Sequence, residues 1–152
     1  MSIAQAVCNS FKAELLQGYH DFSASGGDTF KIALFTSSAS LGATTTVYNT
    51  SNEISNTSGS AYSAGGLALS GQSVTGSGST STSYVDFNNA QWTSASFTAN
   101  GAMIYNTTAD GGSNTTNAIC ILAFGADFTA TNGTFTVQFP SPGTSTAILR
   151  LS

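Results

Sequence analysis

The sequence predicts a mainly β, single-domain antiparallel β-sandwich, jelly-roll or immunoglobulin-like, with one N-terminal amphipathic helix. Three observations predict it. An apolar stripe at i, i+4 spacing runs through the first residues and is not repeated later. From residue 29 onward, short alternating apolar runs recur between Ser/Thr/Gly/Asn turns. Charged residues make up only 7% of the chain, so hydroxyls and amides carry its polarity. A length of 152 residues suits one domain, 1–152, whose core needs no staples.

The helix is expected over residues 2–17. Ile3, Val7, Phe11 and Leu15 follow one another at four-residue steps, and Cys8 and Leu16 widen the stripe. Gln5, Asn9 and Lys12 hold the opposite face, Ser2 suits an N-cap and Gly18 a C-cap. A one-sided helix must lie on something. It covers an open sheet face or edge of its own subunit, or it docks on a neighbour. The bulk of its apolar residues suits a domain core and favours the first.

Strands and turns are expected over residues 29–152. In "TFKIALFTSS", Phe30, Ile32 and Leu34 share one face and Ala33 and Phe35 the other, so both faces are expected to be buried. Residues 37–83 are poor in apolar side chains and hold weak strands near Thr45–Tyr48, Gly66–Leu69 and Val74. "TGSGSTSTS" is read as a hairpin loop because strand patterns flank it. "SYVDFNNAQW" reads as one strand, and "SASFTANGAMIYNTT" as another broken at Gly101. The apolar run "NAICILAFG" fits a central, doubly covered strand. "GTFTVQFP" alternates with Phe135, Val137 and Phe139 inward, and "TAILRLS" closes the chain. About eight to ten strands at this spacing suit a sandwich or barrel.

Composition excludes several functions. Lys12, Lys31, Arg150 and the lone His20 are too scattered to neutralise phosphates, so no nucleic acid is expected as partner. No run approaches the roughly 18 apolar residues of a membrane span. "MSIAQAVCNSFK" lacks the basic start and apolar stretch of a signal peptide, which predicts synthesis in a cytoplasm. Cys8 and Cys120 are then expected as buried free thiols, with a disulfide from helix to sheet as the alternative.

Catalytic signatures are missing. No G-x-S-x-G elbow occurs, and the one candidate base, His20, reads as a turn or surface residue. Pairing of Cys8 or Cys120 with His20 has no local signature. Zinc-type spacing is absent, and Asp110–Asn114 reads as a plain turn rather than a calcium loop. Asp21, Asp28, Glu53, Asp86, Asp110 and Asp127 fall mostly in turn contexts, with no pair placed for glycoside cleavage. No enzyme activity, cofactor or metal is expected. Five N-x-[ST] sequons, at Asn49, Asn56, Asn106, Asn114 and Asn132, follow from Asn/Ser/Thr richness. Aromatic side chains are the remaining candidates for recognition. Tyr48, Tyr62, Tyr84 and Trp92, in or beside the weakly apolar middle segment, are the candidate interface residues, since aromatics bury large areas and keep a polar tip. With Tyr105 they are also candidates for stacking on sugars, although a core position is the plainer reading of Trp92.

"AQAVCNSFKAELLQGYHDF", "DTFKIALFTSSASLGATTTVY" followed by "NEIS", "GGLALSG" leading to "YVDFNNAQWTSASFTANGAMIYN", and the ending "ILAFGADFTATNGTFTVQFP…AILRLS" together resemble a group of small virion structural proteins of tailed bacteriophages. The resemblance runs over nearly the whole chain, most loosely in the Ser/Gly-rich middle. It implies a protein of the virion with no cofactor and no catalytic residues. Within that group the expected role is a capsid decoration (cement) protein, a homotrimer that clamps major capsid protein subunits where they meet. The alternatives are a neck, tail or fibre appendage, or a carbohydrate-binding module reading host glycans through its tyrosines and Trp92.

Overall fold

A computed structural model describes residues 2–55, 59–76, 78–108 and 116–152. The protein is mainly β, with two antiparallel sheets and one short N-terminal helix, and is consistent with a β-sandwich. In chain order the elements are β1 (Ala6–Val7), α1 (Asn9–Leu16), β2 (Phe30–Phe35), β3 (Leu67–Ala68), β4 (Ser73–Thr75), β5 (Ser83–Asp86), β6 (Ala90–Asn106), β7 (Ala118–Val137) and β8 (Leu149–Leu151). The larger sheet has the order β1-β7-β6-β2-β3, the smaller β4-β5-β8. One continuous hydrophobic cluster joins the two.

The helix is half as long as its apolar spacing predicts. Residues before Asn9 run extended. Ile3 bridges Leu41, Ala6 and Val7 pair with Ile121 and Cys120, and the Cys8 N–H donates to the Ile119 carbonyl at 2.9 Å. The spacing itself explains the difference. Residues four apart share a face in a strand as well as in a helix, so Ile3 and Val7 reach the core from an extended chain. Cys8, not Ser2, is the N-cap residue, and no side chain caps it. The C-terminal signal holds. Gly18 has φ +78°, its N–H reaches the Leu15 carbonyl, and the Tyr19 N–H reaches Glu14, which closes a Schellman motif. Phe11 is buried, whereas Leu16 projects outward.

The two longest strands replace four expected ones. β6 does not break at Gly101. A Cβ there would fall 2.7 Å from the Leu122 carbonyl oxygen and 2.8 Å from the Ile3 side chain, so the glycine admits a close neighbour within a continuous strand. The break lies earlier, between β5 and β6. There the Asn88 N–H donates to the Ser70 carbonyl and the Asn89 side chain accepts the Phe139 N–H, carrying the chain from the small sheet to the large one. β7 runs the expected strands "NAICILAFG" and "GTFTVQFP" together, with register shifts against β6 between them and Gly125 and Asn132 at positive φ. The expected strand at Thr45–Tyr48 reduces to a single bridge, Val47 to Asn117. β2 is buried on both faces except at Lys31, and β4–β5 is the expected hairpin.

Rings tie the layers together. Phe22 stacks on Phe30 at 4.4 Å, and both meet Phe87 edge-on, which in turn touches Phe139. Phe11 joins this chain through Phe22 and His20. The helix therefore belongs to the core of its own subunit. Phe11→Ala is expected to lower unfolding free energy in urea by about 3–5 kcal/mol. Leu16→Ala, at an exposed position, is expected to change it by no more than about 0.5 kcal/mol. Equal midpoints for Phe11→Ala and wild type would remove the helix from the core.

Candidate functional site

The four candidate interface aromatics do not form one surface. Tyr62 and Trp92 are 1% and 3% exposed and stack on one another in the core at 6.1 Å, with Phe97 edge-on to both. They are packing residues of this chain, not surface anchors, because the middle segment folds back over the β6–β7 ribbon. The Trp92 indole N–H finds no partner among the described residues. Tyr48 is half-buried and stacks on Tyr105 at 4.4 Å. Tyr84 is half-buried on β5, opposite Arg150 of β8.

What joins Tyr48 and Tyr62 is a carboxylate that the sequence offers only as one more turn acid. Glu53 is buried. Its Oε2 accepts the Tyr48 hydroxyl at 2.7 Å, and its Oε1 accepts the Tyr62 hydroxyl and the Gly65 N–H, each at 2.7 Å. The Tyr62 oxygen also accepts the Leu34 N–H at 2.9 Å, and Tyr105 donates to the Gly65 carbonyl at 2.7 Å. Two loops of the apolar-poor middle segment are thereby fastened to β2 and β6. Burial, with the Glu53 carboxylate close by, raises the ionisation of Tyr48 and Tyr62 well above the ordinary range and pushes Tyr105 up to about 12. The arrangement holds protons in place and fastens these loops to the sheet.

A second polar chain runs under the helix. His20 is buried, not a surface residue. Its Nε2 lies 2.8 Å from Glu14 Oε2 and its Nδ1 2.9 Å from the Asn106 amide nitrogen. Asn106 also donates to Asp28 Oδ2 at 2.6 Å and accepts the Thr108 N–H at 2.8 Å. These partners orient the amide so that Nδ1 accepts and Nε2–H donates to Glu14. Both ring nitrogens are engaged, so His20 has none to activate a thiol. Cys8 and Cys120 are free and buried. Burial, then the Glu14 charge, raises Cys8 to about 11, and burial raises Cys120 to about 12, which keeps both protonated at neutral pH.

No three His, Cys, Asp or Glu side chains converge as a metal site among the described residues. The turn Asp110–Asn114 and the sequon at Asn56 lie outside the described residues. Asn106, a third sequon position, is committed to the buried network. No helix among the described residues is long and apolar enough to cross a membrane.

The surface also carries an apolar concavity. A cleft of about 720 Å³ opens between α1 and the small sheet, floored by Phe11, Phe22, Val85 and Leu149 and edged by Tyr84. It is the only place where one of the four candidate aromatics meets a cluster of exposed apolar side chains among the described residues.

Two outcomes follow from the buried groups. Glu53→Gln is expected to cost about 1–3 kcal/mol, since it leaves a buried tyrosine hydroxyl poorly matched. Combined with Tyr62→Phe, the loss should be clearly less than additive. The thiols and tyrosines ionise near 9.0 and 10.0 when unfolded and higher when folded. Their stabilisation is complete below the unfolded values and is lost as pH rises through the folded ones. Urea stability is therefore expected to fall progressively above pH 9.0, with the onset moved toward 10.0 in Cys8→Ala/Cys120→Ala. A flat profile to strongly alkaline pH would contradict this.

No family model, curated protein or solved structure matches the chain.

Proposed function

We propose that the chain is a structural protein of tailed-bacteriophage virions, acting as a capsid decoration protein that binds the assembled head and stabilises contacts between major capsid protein subunits. The resemblance of its strand motifs supports this reading. The observation that carries it is the outer half of the β6–β7 ribbon. β2 covers β6 only over Phe30–Phe35, opposite 101–106, and β1 covers β7 only at Cys120 and Ile121. Beyond those positions, residues 90–100 and 124–137 form a ladder only with each other among the described residues, apart from a single bond from the Ser96 N–H to the Ser60 carbonyl, and Asp127 is the one charged side chain among them. Long unpaired edges in soluble proteins are usually blunted with lysines or prolines. An edge with a single charge over this length favours contact with another chain.

Few ions also make such contacts insensitive to salt, which suits a particle that meets varied media. Many identical copies reach high avidity from a modest interface each. A homotrimer seated where capsid subunits meet fits this mode of attachment. A neck, tail or fibre position uses the same surface in fewer copies. The glycan-binding alternative loses two of its stacking platforms, since Tyr62 and Trp92 lie in the core.

Purified particles washed in sodium chloride up to about 1 M, where the screening length is roughly 3 Å, are expected to retain the protein. Release between low and moderate salt would point to ionic attachment instead. Quantitative mass spectrometry is expected to find a copy number comparable to that of the major capsid subunits. A small fraction of that number would favour the neck, tail or fibre.

A further inference from the structure

We propose that the cleft between α1 and the small sheet receives a second copy of this chain, whose β7 bulge at Asp127–Phe128 seats in it. Four large hydrophobic side chains stand exposed among the described residues: Leu16 at 91%, Leu151 at 63%, Val74 at 55% and Phe128 at 51%. The first three border the single cleft already described. Val74 and Leu149 flank Val85 across the small sheet, so its apolar face continues inward from the rim to the buried floor. Clustering of exposed apolar side chains around one concavity marks an interaction surface.

Charge selects the occupant. Lys12 and Arg150 stand at the margin of the cleft and are two of only three Lys and Arg side chains in the chain. The one salt bridge among the described residues joins His20 and Glu14, so neither cation has a carboxylate partner there. Among the described residues, Lys12 Nζ reaches Asn9 Oδ1 at 3.5 Å and Arg150 Nη1 reaches the Thr144 carbonyl at 3.3 Å. Asp21 also lies at the margin, with its Oδ1 turned to the Ser23 N–H. The cleft therefore fits an aromatic or aliphatic side chain carried beside a carboxylate.

The fourth exposed hydrophobic has that chemistry. Phe128 follows Asp127 directly, at the point where β7 slips against β6 between the pairs Ala99–Phe128 and Gly101–Ala123. Such a bulge re-aims side chains out of the ladder. Asn100 Nδ2 holds Asp127 Oδ1 at 2.8 Å, and Phe124 supports the Phe128 ring edge-on at 6.2 Å. No other strand pairs with β7 here, so the projection is reachable. Identical chains of net charge −4 repel one another at long range, and a cationic margin facing Asp127 offsets that repulsion and sets the orientation. Projection and cleft are different surfaces, so the contact is heterologous and builds closed rings, such as a trimer, or open filaments.

The inference deepens the assembly role proposed above, and it is tested on the purified full chain without particles. Failure here therefore leaves particle attachment to be judged by the salt wash, and failure there leaves this result standing. By sedimentation and light scattering the wild type is expected to associate. Phe128→Ser and, separately, Leu16→Asn/Leu151→Asn are expected to run as single chains of 15.4 kDa. Their melting temperatures should match wild type, because all three positions are exposed. Mixing the two variants is decisive. One keeps an intact cleft and the other an intact projection, so the mixture is expected to form one-to-one dimers that grow no further. Asp127→Lys should weaken association, and Lys12→Glu/Arg150→Glu should restore it. A monomeric wild type at all concentrations reached, association that survives both variants, or monomeric variants that fail to complement would each overturn the proposal. The last outcome would indicate an isologous edge-to-edge contact. Wild-type monomers whose cleft variants lose particle binding would assign the cleft to another virion protein.

Discussion

The antiparallel ladder between β6 and β7 is the constraint on which every other element hangs. It runs the length of the larger sheet and supplies two of that sheet's three interior strands. β2 reaches the sheet only through β6, and the N-terminal segment only through β7. A two-stranded ribbon is marginal in water by itself, so the rest of the chain serves to bury one of its faces. The middle segment brings Tyr62 onto Trp92 and Phe97, while α1 and the small sheet close over β2 through Phe11, Phe22 and Phe87.

Scarcity of charge shapes how the covering segments are held. Among the described residues of 37–66, apolar side chains are few and only isolated bridges form, at Leu41, Val47 and Glu53, and hydrogen bonds substitute for packing. Glu53 accepts from two tyrosines and a backbone N–H at 2.7 Å each, drawing loops that have no regular structure onto β2. A buried carboxylate is costly to desolvate, and several good donors offset that cost. The Glu14–His20–Asn106–Asp28 chain does the same beneath the helix. In both places acids that look like turn residues are interior fasteners, and their value lies in fixing one arrangement of loops.

The polar interior and the apolar exterior are two sides of one allocation. With ionisable groups drawn inside, the outer half of the ribbon and the cleft beside α1 present hydroxyls, amides and hydrocarbon. Such surfaces solvate less strongly than charged ones and favour contact with other protein, which is the physical content of the assembly role proposed here. The two cations that remain outside beside the cleft give direction to an otherwise apolar contact.

The sequence by itself determined the class of fold and much of the core. Alternation placed Phe30, Ile32, Leu34, Phe135, Val137 and Phe139 inside correctly, since a period of two leaves no choice of face once one side is buried. Gly18 announced the end of the helix through a conformation that few other residues adopt. Tertiary structure decided what local rules leave degenerate. Ile3 and Val7 satisfy helix and strand spacing alike, and the backbone at Leu41 together with the free edge of β7 made residues 2–8 extended. Gly101 signals a break unless a neighbour must approach it, and Ile3 does. Strand order, the fusion of four expected strands into β6 and β7, and the burial of Tyr62, Trp92, His20 and Glu53 all depend on partners elsewhere along the chain, 86 residues away for His20 and Asn106. A polar residue's partner at such separation leaves no periodic trace in sequence, because its geometry is set by folding of the whole and not by its neighbours.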